Sequence, residues 1–378
     1  MTIAIIGNQP FALARFRTLL IRDLVGRGDE VYAYCPGWSD DPESRAIVEA
    51  AGATTENIRM PRSLANPLDE VASVWSIRRA LDELNPDAIL TYFVKPVVYT
   101  ALATLGLPIP RKVAMIEGLG ITGGNVGALR ARVSLALHQF AASRYDAIFV
   151  LNPDDESFYL DEVGVDERRL RRIEGIGIDL SEFEVGPSPP GPATFLFVAR
   201  MLRQKGVWEF VEAARLVRAA YPDARFVMLG SVDDSRDAVD EARLRMQTAE
   251  AGVEWKGHVN NVRDYLADAS VFVLPSYYRE GYPRSIMEAM AAGRAVITTD
   301  NPGCREAVVD GESGLIVPPR DVAALAEAMK EMIEDPARTA EMGRVGRELA
   351  VERYDHAKIN ARVIKVLVGE ESPTGAVG

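Results

Sequence analysis

Short apolar runs alternate with longer stretches in which apolar side chains recur every three or four residues, and the alternation occurs twice along the chain. In the first half the pattern predicts strands over Thr2–Gly7, Glu30–Cys35, Thr55–Ile58, Ala88–Leu90, Lys112–Ile116 and Ala147–Leu151. Between them it predicts helices over Phe11–Val25, Pro67–Leu84, Lys95–Leu105 and Leu129–Ala142. In the second half strands are expected over Thr194–Ala199, Arg225–Leu229, Val253–Gly257, Val271–Leu274, Ala295–Thr299 and Gly314–Val317. Helices are expected over Val207–Ala220, Val239–Glu250, Ser285–Ala292, Asp321–Glu334, Pro336–Glu352 and Ala357–Val368. Strands that alternate with helices specify α/β units with doubly wound parallel sheets. The stretch 184–192, with four prolines and two glycines in VGPSPPGP, separates the halves as a linker. The expected organisation is an N-terminal Rossmann-like domain over 1–183 and a C-terminal one over 193–352. A helix over 353–368 is expected to cross back to the first domain, and a disordered tail to span 369–378.

One stretch concentrates candidate chemistry. Val271–Asp300 reads as strand, loop, helix and strand, with Pro283 suited to a first helical turn and Gly293 to the residue just past the helix end. Glu280 falls in the loop and Glu288 on the helix. At about 100° per residue Glu288 sits roughly 200° from Ile286, which points it away from the packed face. Loops at the carboxyl ends of parallel strands are where open α/β sheets bind ligands.

Composition narrows the function. The 378 residues are 48% hydrophobic and 26% charged, ordinary for a soluble chain of two domains. A net charge of −12 argues against a nucleic-acid partner. Cys35 and Cys304 are far apart and read as two buried thiols in a reducing compartment. MTIAIIG carries no basic leader and no run approaches a membrane span, so a cytoplasmic location is expected. Basic residues crowd two amphipathic stretches, Arg15, Arg17, Arg22 and Arg27 in one, Arg130, Arg132 and Arg144 in the other. They suit either an anionic membrane surface or ordinary sheet-packed helices.

Arg200 closes a strand and Lys205 immediately precedes the next helix. A cation at a helix N-terminus is misplaced against the helix dipole unless an anion lies there, so the pair points to a phosphate; a solvated basic loop is the plainer alternative. Glu280 and Glu288 could accept hydrogen bonds from sugar and ribose hydroxyls, or could be two surface glutamates. GLGITG over Gly118–Gly123 matches G-x-G-x-x-G but lacks the acidic residue that should end the next strand, which disfavours a dinucleotide cofactor. His138, His258 and His356 lie far apart and no D-x-D occurs, so neither a metal nor another cofactor is expected.

The sequence REGYPRSIMEAMAAGRAVITTDNPGCREAVVDGESGLIVPPRD resembles the donor-site signature of retaining GT-B glycosyltransferases of family 4, and FLFVARMLRQKGVWEFVEAA resembles their phosphate-binding segment. GIGIDLSEF, over Gly175–Phe183, is similar to the segment that enters their second domain. TYFVKPVVYTALA and AMIEGLG are similar to enzymes that extend lipid-diphosphate-linked sugars for bacterial surface polysaccharides or glycans. The resemblance implies a GT-B fold whose two domains face a cleft, and Arg200 and Lys205 on the donor diphosphate. Glu280 and Gly281–Tyr282–Pro283 would hold the donor sugar, with Glu288 on the ribose and Gly230 also at the donor. Gly7, Asn8, Glu117, Gly118 and Gly120 would border the acceptor and the reacting centre. Many family members carry histidine where this chain has Glu117.

The expected activity is metal-independent, retaining transfer of a sugar from a nucleotide diphosphate, a UDP-sugar, to a glycan hydroxyl. The expected acceptor is polyprenyl-diphosphate-linked, reached at the inner face of the plasma membrane. A non-hydrolysing nucleotide-sugar epimerase, a two-domain dehydrogenase and a catalytically silent nucleotide-sugar-binding protein are the competing readings.

Overall fold

The computed structural model describes residues 1–61, 66–119, 128–186, 191–233, 235 and 237–371, with residues 128–130 by backbone alone. The chain forms two compact units, Met1–Gly177 with the segment from His356 onward, and Ile178–Asp355. The crossings fall at Gly177–Ile178 and Asp355–His356, where Ile178 N–H donates to the Tyr354 carbonyl at 2.9 Å. The proline-rich 184–192 stretch, expected as the linker, therefore falls within the second unit, and its residues 187–190 lie outside the described residues.

In the first unit the strands are β1 (Thr2–Ile6), β2 (Glu30–Cys35), β3 (Thr54–Asn57), β4 (Ala88–Tyr92), β5 (Arg111–Ile116), β6 (Ala147–Val150) and β7 (Leu170–Arg172). Their helices are α1 (Pro10–Gly26), α2 (Pro42–Ala50), α3 (Pro67–Leu84), α4 (Val94–Ala103), α5 (Ala128–Ala142) and α6 (Pro153–Ser157). The sheet is parallel, in the order β3-β2-β1-β4-β5-β6-β7. Every residue of β4 is buried, as covering a parallel sheet on both faces requires. Proline opens α1, α2 and α3, and the Asp41 and Asn66 side chains accept N–H bonds at the starts of α2 and α3.

The second unit carries β8 (Thr194–Val198), β9 (Arg225–Leu229), β10 (Val253–Trp255), β11 (Val271–Leu274), β12 (Ala295–Thr299) and β13 (Gly314–Val317). Its helices are α7 (Val207–Ala220), α8 (Glu241–Ala251), α9 (Val262–Asp268), α10 (Arg284–Ala291), α11 (Val322–Glu334) and α12 (Pro336–Arg353). This sheet is also parallel, in the order β10-β9-β8-β11-β12-β13. The last helix, α13 (His356–Leu367), packs on α1 in the first unit. There Asn360 Nδ2 donates to Asp23 at 2.6 Å, and the Arg111 guanidinium donates to the Val366 carbonyl at 3.0 Å.

Both sheets are thus doubly wound, as the alternation implies. Strand order reverses between β1 and β4 in one and between β8 and β11 in the other. Those reversals open the crevices in which such sheets take ligands. Four short elements escaped the periodicity reading: α2, α6, α9 and β7. Each is too brief for a hydrophobic period to stand out. Cys35 and Cys304 are both buried and unbridged.

Candidate active site

At the β8–β11 reversal two loops meet. The chain leaves β8 through Ala199 and Arg200, then makes a single tight turn over Arg203–Lys205 before α7. Asp237 shapes that turn, its carboxylate accepting from Gln204 N–H at 3.0 Å and its carbonyl from Arg203 N–H at 3.0 Å. Gly206 then adopts φ +79, and a Cβ there would stand 2.2 Å from the Pro275 carbonyl oxygen. Only glycine allows the turn after β8 to lie so close to the chain leaving β11. The Gln204 carbonyl accepts N–H bonds from Tyr277 at 2.9 Å and Tyr278 at 3.1 Å, so the two loops are stitched through backbone.

That stitching brings Lys205 onto Glu280. Lys205 Nζ donates to Glu280 Oε2 at 2.6 Å, and the Ser276 hydroxyl donates to Glu280 Oε1 at 2.8 Å. Both partners of the pair are mostly buried. Tyr278 lies beside them, its ring centroid 5.5 Å from Lys205 Nζ. Burial raises the Tyr278 hydroxyl above its ordinary value, with the Glu280 charge adding to the rise and Arg200 opposing it.

Arg200 belongs to the same neighbourhood but not to the same contact. It is 61% exposed and pairs with Asp233 across 2.9 Å. The Asp233 carboxyl is held below its ordinary value, because hydrogen bonds from Ser235 together with Arg200 outweigh the opposing effect of burial. Asp233 was not legible as a partner, although the acidic pair Asp233–Asp234 a few residues past β9 was a signal. Gly230, also after β9, donates to the Gly257 carbonyl at 2.7 Å and accepts from the Trp255 indole at 2.9 Å.

Glu288 requires a correction. It does not point into solvent but is only 6% exposed, and Arg284 one turn earlier donates to its Oε1 at 2.8 Å. The angular argument assumed one packed face. In fact α10 packs against β11 and β12 and also against α12, whose Arg347 donates to the Ala291 carbonyl at 2.6 Å. All residues from Ile286 to Ala291 are consequently buried. Gly281 and Pro283 are buried in the loop that opens α10, and the Tyr282 ring stands edge-on to Tyr354 at 5.9 Å. Gly303, which sequence reasoning passed over, supports that loop from beneath. It has φ +84, and a Cβ would come within 2.3 Å of the Gly281 carbonyl oxygen.

In the first unit, Gly7 and Asn8 follow β1, with Gly7 N–H donating to the Tyr34 carbonyl at 3.0 Å. Glu117 and Gly118 follow β5. Gly120 and the rest of the glycine-rich loop lie outside the described residues. Glu117 forms an ion pair with Arg17 of α1. Arg17 is therefore not part of a basic surface; it is buried, and its guanidinium carbon lies 3.8 Å from the Tyr92 ring centroid. The signal was present: Arg17 shares a helical stripe with Leu13, Leu20, Ile21 and Leu24, all buried. Arg27, just past α1, likewise turns to Asp29 at 2.9 Å and Glu370 at 3.1 Å, so of the four arginines in this stretch Arg15 and Arg22 are left exposed on α1. Exposed apolar side chains of this unit occur on α1 (Phe11) and α5 (Val133, Leu137) and are most exposed on α3. There Leu68, Val71 and Trp75 project outward, Trp75 with 65% of its surface exposed. Val71 and Trp75, with Glu70, Val74, Tyr99 and Leu102, border a groove of about 340 Å³. Among the described residues no helix is long and apolar enough to cross a membrane.

Residues 13–176 match the glycosyl transferase 4-like domain, and residues 192–335 match the glycosyl transferases of group 1. Over 97% of its length the chain is 26% identical to a protein of Campylobacter jejuni, covering 98% of it. That relative is the N,N'-diacetylbacillosaminyl-diphospho-undecaprenol alpha-1,3-N-acetylgalactosaminyltransferase. Over 56% of its length it is 34% identical to the alpha-maltose-1-phosphate synthase of Mycolicibacterium smegmatis, covering 54% of that protein. Among solved structures, Anabaena Alr3699/HepE in complex with UDP superposes with a TM-score of 0.79 at 17% identity, over 98% of this chain and all of that one. The sucrose-phosphate synthase of Thermosynechococcus elongatus gives 0.78 at 22% identity, over 97% of this chain and 98% of that one.

Proposed function

The chain belongs to the group 1, family 4-like glycosyltransferases of GT-B fold, and from that premise we propose that it moves a sugar from a nucleotide diphosphate-sugar, a UDP-sugar, to a hydroxyl of a lipid-diphosphate-linked glycan, with retention of anomeric configuration. The observation that carries this reading is the Lys205–Glu280 contact at the β8–β11 reversal. It sets a cation and a carboxylate side by side where a doubly wound sheet takes its ligand, one suited to a diphosphate and the other to sugar hydroxyls.

In the proposed reaction the bond from the anomeric carbon to the diphosphate oxygen breaks as the acceptor oxygen bonds the same carbon from the same face. The acceptor proton passes to the departing diphosphate. Negative charge grows on that leaving group, and Lys205 and Arg200 meet it, aided by the positive end of the α7 dipole. No divalent ion is required in this scheme, because protein cations supply the neutralisation. Glu280, with Gly281, Tyr282 and Pro283, would hold the donor sugar. Glu288, already buried as a hydrogen-bond acceptor, would take the ribose, and Gly230 would lie along the nucleotide.

The lipid-linked acceptor rests on two supports. One is the Campylobacter relative, whose named acceptor is a diphospho-undecaprenol and which aligns along nearly all of this chain. The other is the exposed apolar face of α3, which fits attachment to the cytoplasmic face of a membrane. A thermal-shift screen of nucleotide-sugars tests the donor, since a ligand that binds only the folded protein raises its melting temperature. A UDP-sugar that raises it more than the GDP- and ADP-sugars supports the reading, and flat melting with every nucleotide-sugar overturns it. Incubating that donor without acceptor separates transfer from epimerisation, which would yield a second nucleotide-sugar.

A further inference from the structure

Arg17, Tyr92 and Glu117 form a charged cluster inside the first unit, at the reversal between β1 and β4. Tyr92 is the last residue of β4, and Glu117 is the first residue beyond β5. Arg17 reaches them from α1, the helix that follows the Gly7–Asn8 turn. Its guanidinium covers the Tyr92 ring and pairs with Glu117, whose side chain keeps 10% of its surface exposed. The Tyr92 hydroxyl, fully buried, has no hydrogen-bond partner among the described residues.

A buried ion pair returns little stability, because desolvating both charges offsets their attraction and an apolar pair of similar volume would serve a core as well. Its position suggests a different use, since the carboxyl edge of β4 and β5 is where this sheet type places its ligand. The backbone adds an independent observation. Phe93, next to Tyr92, holds φ +67, which a bulky side chain adopts only under constraint, and its N–H is tied to the Met115 carbonyl at 3.2 Å. Strained backbone of this kind collects at ligand sites, where surrounding structure over-determines it.

We infer that Glu117 is a substrate-binding carboxylate that accepts a hydroxyl of the sugar substrate, and that Arg17, seated on the face of Tyr92, is the positioning residue that holds it. The inference rests on the glycosyltransferase reading. The Arg17 guanidinium anchors the carboxylate, while the negative face of the Tyr92 ring holds the guanidinium in place.

Initial rates of labelled-sugar transfer, together with melting temperatures and donor-induced shifts, test it. Glu117→Gln is expected to lower kcat roughly 10–100-fold, the size of a lost charged hydrogen bond, and a smaller UDP-sugar shift would place that hydroxyl on the donor, an unchanged one on the acceptor. Arg17→Met should lose about as much, whereas Arg17→Lys, which keeps the cation, should recover most of the activity. Arg17→Met alone leaves a carboxylate buried without its cation and should melt early. Adding Glu117→Gln removes that charge, so the double variant should regain its melting temperature while its rate stays at the Glu117→Gln level. Transfer within twofold of wild type in Glu117→Gln overturns the inference. So does a double variant whose activity returns along with its stability, which would make the cluster purely structural. Wild-type protein that transfers no sugar from any nucleotide-sugar overturns the glycosyltransferase reading itself, and the inference with it.

Discussion

Lys205 Nζ stands 2.6 Å from Glu280 Oε2, although 75 residues separate them along the chain. The loops that carry them follow β8 and β11, adjacent strands in the sheet, and the contact holds a cation at the start of α7, where the helix dipole disfavours it. The Glu280 carboxylate relieves that cost, as an anionic ligand would.

Lys205→Ala is accordingly expected to slow sugar transfer by about 10²–10³, by analogy with removal of one preorganised donor to developing charge. Glu280 keeps its bond from Ser276 but loses its cation, so the melting temperature should fall as well, and the rate is compared at a temperature at which the variant stays folded. Arg200→Ala should cost less than Lys205→Ala, because Arg200 is largely exposed and water screens it. Initial rates with a labelled donor, set beside melting curves, check both. Near-normal turnover in Lys205→Ala would remove the cation from the mechanism.

Gly303→Ala should be more harmful than Gly311→Ala. Both glycines have positive φ, +84 and +76, but a Cβ at Gly311 meets nothing within 4 Å, whereas one at Gly303 strikes the Gly281 carbonyl at 2.3 Å. Gly311→Ala should cost about 1 kcal/mol from backbone preference alone. Gly303→Ala must also displace the loop that carries Glu280, so it should lose about 1–3 kcal/mol more and weaken donor binding. Urea unfolding and donor-induced melting shifts would show equal effects if the loop simply moved aside.

His138 makes stability depend on pH. Its Nδ1 lies 2.8 Å from the Tyr159 hydroxyl, and burial pushes its pKa down to about 4. An unfolded chain regains the ordinary value near 6.5. Between those values the unfolded state binds a proton that the folded state refuses, so stability is complete above about 6.5 and falls as pH drops toward 4. The loss attributable to His138 is on the order of 3 kcal/mol by pH 4. Urea midpoints measured from pH 7 to pH 4.5 should therefore fall more steeply for wild type than for His138→Gln. Parallel slopes would mean the imidazole titrates normally.

The outward face of α3 should govern membrane attachment. Val71→Glu with Trp75→Glu is expected to abolish flotation with anionic vesicles, and Leu216→Glu, an exposed apolar position of the second unit, should leave it intact. Charge reversal at Arg15 and Arg22 tests the alternative surface on α1. If those substitutions detach the protein and the α3 pair does not, the attachment site is α1.

The alternation of strands and helices was readable from residue order because it depends on which side chains meet the sheet, a local property with its own period. The same holds for the phosphate-type placement of Lys205 before α7 and for the glutamates that follow β11, since each lies next to a recognisable strand end. Where side chains point after the chain closes was another matter. Glu288 is buried because α12, dozens of residues later, covers α10. Arg17 is an interior cation because Glu117 and Tyr92 converge on it from two other strands. Arg200 turns to Asp233 rather than to Glu280, and α13 joins the first unit after the whole of the second has been built. These outcomes come from contacts between segments far apart in the chain, and no period along the sequence encodes them.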